Sequence, residues 1–567
     1  MGLKTGKSIA DKILIIVNSL LVALLVFRSF LTINTIDEVF NIEEAFRTIQ
    51  GNKFLVENWD YYQTGDIFIY PFLKAFYLVT GSTEGIVLYT RIVFVFLQII
   101  FVFVMYRLLS KFFDRRALLL SLLFFASLVS CMIFNMWYDT WECYFRLIGV
   151  ALILYALGNE ENTSKKRSAV CFIAAGALHA LMVFSYPTMI VSYLFVFVSL
   201  LVMKKWKFGL YYVLGAGLVF LLFVIYAMTV GVRNIFVFNS VISEIGTASV
   251  GRADMFSLSR IVKLAKEFFV LNFERYMIAL VIFALDVVIF FVVRKHEKYK
   301  IVFCVVMVIG CLIHMLESIF DAGTTNTMPT YLSLYTPFLY FLNGKKHKLT
   351  MLYIFGLSYV AGFVYTYTAL YGAVKFSAGA KSAAILTVIL LFEVLGKCSK
   401  EAKIKGGTIA SILATSLIFI ITFAMCISAS YGTEFKATKP LDCKYLIREG
   451  IFKGILEDKE RAEKYIELER GLRASVKEGD ETITCGYYSI LCYLMTDLKP
   501  DTDNLWVSDD YTLLRAYFDN NYGNPDIIVL NGDYDEYTDP RFMEFILDNY
   551  DLADEAGGFL IYHIRLS

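Results

Sequence analysis

Ile13-Leu-Ile-Ile-Val-Asn18-Ser-Leu-Leu-Val-Ala-Leu-Leu-Val-Phe-Arg28-Ser-Phe-Leu-Thr-Ile33, followed at once by Asn34-Thr35-Ile36-Asp37-Glu38, is the stretch that decides how the chain is read. The apolar run is long enough to cross a hydrocarbon core of ~30 Å, which takes about 20 residues. Two adjacent carboxylates stand where it emerges into water. The basic start (Lys4, Lys7, Lys12) and the lack of a small-residue cleavage site identify an uncleaved first span rather than a removed signal peptide.

Similar runs recur along the 567 residues, which are 58% hydrophobic and 16% aromatic, with a mean hydropathy of +0.60. That composition excludes a soluble enzyme and marks a polytopic α-helical membrane protein. The formal net charge of +1 hides a basic body and an acidic tail that begins at Tyr431. An acidic tail argues against nucleic acid and against an anionic membrane surface as partners. The 10 cysteines form no C-x-x-C pair. Most lie in apolar runs as small hydrophobes.

About thirteen spans are expected: 13–33, 86–109, 117–134, 143–158, 169–186, 188–203, 208–230, 276–293, 301–320, 329–343, 349–370, 381–396 and 407–429. Alternate loops are basic, as at Lys111/Arg115/Arg116, Lys165/Lys166/Arg167, Lys204/Lys205/Lys207 and Lys345/Lys346/Lys348. The loops between them, such as Asn135–Glu142, Ser185–Pro187 and Asp321–Met328, carry no Lys or Arg. The positive-inside rule then puts the N-terminus in the cytoplasm and the C-terminus outside. The expected organisation is a membrane body over 1–430, with long outside loops at 34–85 and 231–275, and an extracytoplasmic α/β domain over 431–567. Val39–Ile49 and Leu258–Phe273 are amphipathic, as helices lying in the membrane interface are. In the tail, Lys453–Lys477, Tyr511–Phe518 and Arg541–Tyr550 read as helices. Glu481–Cys485, Asp526–Leu530 and Phe559–Ile564 read as strands, and the alternation favours a partly parallel sheet.

An acid pair such as Asp37-Glu38 is most often a helix cap or a solvated loop. Here its place at the outer end of a span suits a general base acting on a hydroxyl at the membrane surface. Farther along, Asn58-Trp-Asp60-Tyr-Tyr62-Gln63-Thr-Gly65-Asp66-Ile-Phe-Ile-Tyr-Pro71 mixes aromatics, acids and amides that can stack on and hydrogen-bond a sugar. An aromatic interfacial belt explains the tyrosines equally well. Asp139 and Glu142 lie three apart in a short outside loop, placed to join Asp37 in a substrate or metal site, or simply to be solvated. His314, Glu317 and Asp321 share a helical face that suits a packing pair better than a metal, and His179 reads as a packing histidine. Arg28, Arg233, Arg252, Arg260 and Arg275 lie on or near the outer side. There a lipid phosphate would need a cation, although snorkelling explains each arginine singly.

Together these residues resemble the GT-C superfamily of polyprenyl-phosphate-sugar-dependent glycosyltransferases. The likeness is to bacterial relatives of the protein O-mannosyltransferases and of the aminoarabinose transferase that modifies lipid A. It is carried by Asp37-Glu38 after the first span, by Gln63-Thr-Gly-Asp-Ile-Phe-Ile-Tyr-Pro71 and Gly81-Ser82, and by Leu88-Tyr-Thr-Arg91. Tyr138-Asp139 and Tyr331-Leu-Ser-Leu-Tyr-Thr-Pro337 complete it. The resemblance implies a GT-C-like fold and inverting transfer of a sugar from a polyprenyl-phosphate carrier to a hydroxyl of a glycan, lipid or protein on the outer face. It implies Asp37 as the base, with Glu38 beside it serving acceptor or metal. Asp60, Tyr62, Gln63, Asp66, Arg91, Asp139, Glu142, Arg252 and Arg275 would then contact substrate. A divalent metal, Mg or Mn, held by Asp37 and Asp139 is the cofactor it leaves open. The sequence departs from the pattern in lacking a histidine-proline pair near Gln63 and a basic residue before Tyr331. The alternatives are a cell-envelope polysaccharide polymerase or ligase, more dependent on loop arginines, and a lipid-linked-sugar flippase. No internal repeat supports the flippase.

Overall fold

The computed structural model describes residues 9–34, 37–56, 63–128, 135–158, 164–232, 258–318, 324–368, 372–401, 420, 430–431, 437–438, 442–485, 491–501, 515, 518, 523–531 and 539–565. It is mostly helical. The body contains α1 (Ile9–Arg28), α2 (Asp37–Ile49), α3 (Gln63–Asp66), α4 (Tyr70–Thr80), α5 (Ile86–Leu109), α6 (Arg115–Ser127) and α7 (Tyr138–Gly158). It continues with α8 (Lys165–Ser185), α9 (Ile190–Val202), α10 (Trp206–Val230), α11 (Leu258–Arg275), α12 (Met277–Val293), α13 (Lys300–Ser318), α14 (Thr324–Leu334), α15 (Thr336–Leu342), α16 (Leu357–Thr368) and α17 (Gly372–Glu401). Among the described residues, 7 helices are long and apolar enough to cross a membrane, and Ile15–Arg28, Pro187–Val202 and Met277–Val293 are shorter apolar ones.

Several expected boundaries move for identifiable reasons. The first span stops at Arg28, because the backbone of Ser29–Thr32 is drawn into contacts with Arg91 and Leu456. The fourth begins at Tyr138, so Asp139 and Glu142 lie in the first turns of α7 rather than in a short loop. The tenth breaks into α14 and α15, with Pro337 restarting the helix at its first turn. The twelfth grows to Gly372–Glu401. The thirteenth, 407–429, lies outside the described residues apart from 420. The break at Tyr186-Pro187 stands: α8 ends at Ser185, Tyr186 is extended at φ −146°, and a 3-10 turn leads into α9.

Glycine sets the closest helix approaches. A Cβ at Gly176 of α8 would overlap the Tyr212 carbonyl of α10, and one at Gly215 would overlap the Ile173 carbonyl. These two small residues let the backbones touch, the usual device inside a membrane. Among the described residues the most enclosed span is Phe376–Cys398 of α17, with 89% of its apolar window buried.

The amphipathic stretch after the first span does not lie open in the interface plane. Val39, Phe40, Ile42, Ala45 and Phe46 of α2 are buried, and so are Glu43, Glu44 and Arg47. The helix is wedged between α4 and α5 on one side and the C-terminal domain on the other.

That domain adds short hairpins, β1 (Ser430–Tyr431) with β2 (Ala437–Thr438) and β3 (Tyr445–Leu446) with β4 (Leu456–Glu457), and then α18 (Lys459–Ser475). The remaining elements are β5 (Thr482–Cys485), α19 (Leu491–Thr496), β6 (Lys499–Pro500), β7 (Ile527–Asn531), α20 (Pro540–Asn549), β8 (Tyr550–Ala556) and β9 (Phe559–Ile564). The five-stranded sheet has the order β6-β5-β7-β9-β8, parallel across β6-β5-β7 and antiparallel across β7-β9-β8. The partly parallel sheet matches the sequence expectation. The helix expected from Lys453 begins only at Lys459, where Asp458 caps it by accepting from Glu460 N at 3.0 Å. Strand β8 was not expected: its exposed acids Asp551, Asp554 and Glu555 sit on a sheet edge, where charge discourages further pairing and hides the strand pattern. The expected helix 511–518 lies outside the described residues except for 515 and 518.

Candidate active site

The turn from α1 into α2 carries the acid pair at the first two positions of α2, where the helix dipole favours negative charge. Glu38 is fully buried. Arg91, one and a half turns into α5, reaches it with Nε donating to Oε1 at 2.7 Å and Nη2 to Oε2 at 2.6 Å. Arg91 Nη1 also donates to the carbonyls of Ser29 and Leu31 at 3.1 Å, and Nη2 to that of Thr32 at 2.8 Å. A guanidinium has five N–H groups, and each one here has an acceptor. Arg91 therefore has no donor left for a substrate. The pair fastens the end of α1 to the start of α2, a structural role where the resemblance implied substrate contact.

Asn135 donates from Nδ2 to the Glu38 carbonyl at 3.3 Å, which ties the lead into α7 to this same turn. Two residues inside α7, Asp139 is buried. Among the described residues, its Oδ1 meets only the Thr140 hydroxyl, at 3.4 Å, and its buried Oδ2 has no hydrogen-bond partner. An unsatisfied buried oxygen costs about 1–3 kcal/mol, so such atoms concentrate at functional sites. One turn on, Glu142 accepts from Arg146 Nε at 2.6 Å and from the Tyr365 hydroxyl of α16 at 2.9 Å. Glu142 is thus held inside the body, not offered to a ligand. Arg146 in turn offers its carbonyl to His179 Nε2 at 3.0 Å. A carbonyl only accepts, so His179 carries its proton on Nε2 and takes the Tyr212 hydroxyl on Nδ1 at 2.7 Å. This is the packing histidine expected from the sequence.

Asp37, Asn41 and Glu44 follow i, i+4, i+7 spacing along one face of α2. Asn41 donates to Asp66 Oδ1 at the end of α3. Burial, with Glu44 beside it, pushes the Asp66 carboxyl well above the ordinary carboxylate range, against the opposing pull of the Asn41 bond. Asp66 is therefore a buried acid paired with an amide, not an exposed contact for a sugar. Helix α3 is brought onto the first turn of α7 by Gly65, whose added Cβ would stand 2.9 Å from Tyr138 Cβ. The Thr64 hydroxyl donates to the Phe184 carbonyl at the end of α8. The faces of α2, α3, α7, α8 and α16 thus meet at one end of the bundle.

The remaining expected residues divide as follows. Asp60, Tyr62 and Arg252 lie outside the described residues. Asp37, Gln63 and Arg275 are placed on α2, α3 and α11, with side chains outside the description. Arg260 of α11 donates from Nη2 to the Tyr367 carbonyl at 3.0 Å, beside Tyr365, and lies over the Tyr367 ring at 5.6 Å. His314 stacks between Tyr276 and Tyr331, with ring centroids at 4.4 and 4.8 Å. Glu317 caps α12 by accepting from Ile278 N at 3.1 Å and Ala279 N at 3.3 Å. Asp321, their third member, lies outside the described residues. Among the described residues, no three His, Cys, Asp or Glu side chains come together as a metal site.

Sequence reasoning missed Asn41, Asn135, Tyr365 and the buried Lys381 of α17, whose Nζ lies 5.7 Å over the Phe125 ring. Arg146 and Lys381 had a legible signal, since each is a cation inside an apolar run.

No family model and no curated protein matches the chain. Among solved structures it is similar to ArnT from Cupriavidus metallidurans in the apo state, at 10% identity and a TM-score of 0.42 over 97% of each chain. It is also similar to the same protein bound to undecaprenyl phosphate, at 9% identity and a TM-score of 0.40, again over 97% of each chain.

Proposed function

We propose that the chain is a polytopic membrane glycosyltransferase of the GT-C type, which moves a sugar from a polyprenyl phosphate to an acceptor hydroxyl. The observation that carries this reading is the bond from Asn135 to the Glu38 carbonyl. It ties the lead into α7 to the first turn of α2, and this supports a reading in which Asp139, with its unsatisfied oxygen, works beside Asp37. One carboxylate then serves as base, and a second, buried one offers a free acceptor to the sugar or to a metal. Mg or Mn would supply charge neutralisation at the leaving phosphate, with Asp139 as the ligand that has capacity to spare.

In the reaction, Asp37 removes the proton of the acceptor hydroxyl. The oxygen bonds to the anomeric carbon from the side opposite the phosphate, the bond from that carbon to the phosphate oxygen breaks, and polyprenyl phosphate leaves with the electron pair. An outer arginine, from Arg252, Arg260 and Arg275, holds that phosphate. The charge pattern supports an extracytoplasmic site. The basic loops 111–116, 204–207 and 345–348 join the helix ends remote from α2, and Lys300 and Lys397 donate to the Leu342 and Asn343 carbonyls there, both at 2.9 Å. By the positive-inside rule that end faces the cytoplasm, where nucleotide sugars are made, so the site at the other end takes a lipid-linked donor.

The test uses the full chain in vesicles with undecaprenyl phosphate bearing a radiolabelled sugar in the outer leaflet. Release of undecaprenyl phosphate with transfer of label to an acceptor is expected. Movement of intact lipid-linked sugar across the bilayer without its consumption would overturn the reading in favour of a flippase.

A further inference from the structure

The segment that joins α1 to α2 is strained. Thr32 has a φ of 62°, a left-handed conformation that is strained for a β-branched residue and persists only where the surroundings impose it. Arg91 imposes it from the carbonyl side, as described above. The amide side is held by the C-terminal domain, more than 400 residues away in sequence. Thr32 N donates to the Leu456 carbonyl at 2.9 Å, and Leu456 N donates to the Phe30 carbonyl at 2.7 Å, so β4 pairs with this segment. Next to it, Ile33 N donates to Glu457 Oε2 at 2.5 Å.

Glu457 is fully buried and fixed in its own right. Its Oε1 accepts from Asp458 N at 2.8 Å and from Cys443 Sγ at 3.5 Å, and Arg461 Nη1 lies 3.4 Å from Oε2. Arg461 Nη2 also donates to the Ile33 carbonyl at 3.3 Å. The same hairpin reaches the start of α5, the helix that carries Arg91. Gly85 N donates to the Gly450 carbonyl at 2.9 Å, and Val87 N to that of Ile451 at 3.3 Å. Gly450 has a φ of 74°, and a Cβ there would overlap the Glu469 carboxylate. Glu469 accepts from Ile451 N at 3.0 Å. One rigid hairpin, 445–457, therefore registers both the Arg91 helix and the strand-like segment that Arg91 grips.

We propose that Glu457 is a positioning residue for the acid pair, and that the C-terminal domain is a structural part of the active site rather than an appended module. By holding the Ile33 amide it fixes where α2 begins, and hence where Asp37 stands. This inference rests on the proposed function for its catalytic consequence but not for its structural one.

The test compares Glu457→Gln, Glu457→Ala and Glu457→Asp in the full chain, by hydrogen exchange and by transfer kinetics. Loss of protection at the Thr32 and Ile33 amides is expected in Glu457→Ala, while α18 and the central sheet keep theirs. A fall in kcat of about 10- to 100-fold with KM for the lipid-linked sugar unchanged is expected alongside it. Glu457→Gln, which keeps an acceptor oxygen, should recover most of both. Unchanged protection at Thr32 and Ile33 in Glu457→Ala would overturn the positioning role whatever the chemistry is. Lost protection with unchanged kcat would also overturn it, because a loosened turn would then leave the acid pair competent. If the wild type transfers no sugar, the exchange arm still decides the structural claim, and the failure belongs to the proposed function.

Discussion

Arg91 and Glu38 form a two-bond fork, at 2.7 and 2.6 Å, between helices whose contact residues are 53 positions apart in sequence. Both side chains are essentially unexposed. Removing one partner of such a buried pair strands the other as an uncompensated charge, which costs about 3–5 kcal/mol. Arg91→Met should therefore lose that much stability in detergent-solubilised thermal unfolding. Arg91→Met combined with Glu38→Gln should recover part of the loss. Additive losses in the double variant would contradict a direct coupling between the two.

Asp139 separates stability from activity. Its unsatisfied Oδ2 is a liability in the fold. Asp139→Asn should leave thermal stability unchanged or raise it by up to about 1 kcal/mol, because an amide is cheaper to bury than an unpaired carboxylate. Sugar transfer should fall by at least tenfold. A variant that is destabilised and still fully active would identify Asp139 as a structural residue only.

The seam between α2 and the C-terminal domain should be pH-sensitive. Glu43 is fully buried and, among the described residues, neither of its oxygens is hydrogen-bonded. Burial pushes its carboxyl well above the usual range, opposed by Arg47 and reinforced by Glu44 and by Asp497 across the seam. Burial also raises Asp497, against Arg473 and the bond from Thr83. The other groups facing them are Tyr77 of α4, on which Asp497 acts, and Cys485 of β5, on which Glu43 acts. A carboxyl raised in the folded state binds more protons there than when unfolded. Its contribution is therefore fully present below the ordinary carboxylate range and is lost as pH rises through the raised value. Stability should decline from pH 5 to pH 8, and Glu43→Gln should flatten that decline and stabilise the protein at pH 8. Loss of stability at pH 8 on the same substitution would show that the Glu43 charge is compensated.

How much of this was legible in the sequence depended on whether the signal was local. The spans α5, α7, α8 and α10 were visible as apolar runs, and β9 as a closing strand at Phe559–Ile564, because each reads from its own composition. The acid pair was visible too, but its division of labour was not. Glu38 and Arg91 are each ordinary in sequence, and only the fold shows that five donors of one arginine are taken up by one turn. Helix α2 read as an interfacial helix because periodicity reports one apolar face. The burial of its polar face against α19 is a long-range fact that no local pattern encodes. Asp139 was expected in a short loop because the apolar run of the fourth span was read as starting at 143, whereas α7 starts at Tyr138.

Close packing of α8 on α10 should tolerate no side chain at its crossing. Gly176→Val would drive a branched side chain into the Tyr212 carbonyl and displace the Tyr212 hydroxyl from His179. A loss of about 1–3 kcal/mol is expected from overpacking alone. Thermal unfolding of Gly176→Val against Gly217→Val is the check, since a Cβ at Gly217 meets nothing within 4 Å. Equal losses at the two sites would contradict the close crossing.

Asp37 opens the helix that all of these contacts hold in place. The most direct measurement is single-turnover transfer from a radiolabelled polyprenyl-phosphate sugar by Asp37→Asn, with folding monitored in the same preparation. Loss of a general base is expected to slow transfer by about 10²- to 10⁴-fold while thermal stability stays within about 1 kcal/mol of the wild type. Transfer at the wild-type rate by folded Asp37→Asn would contradict Asp37 as the base.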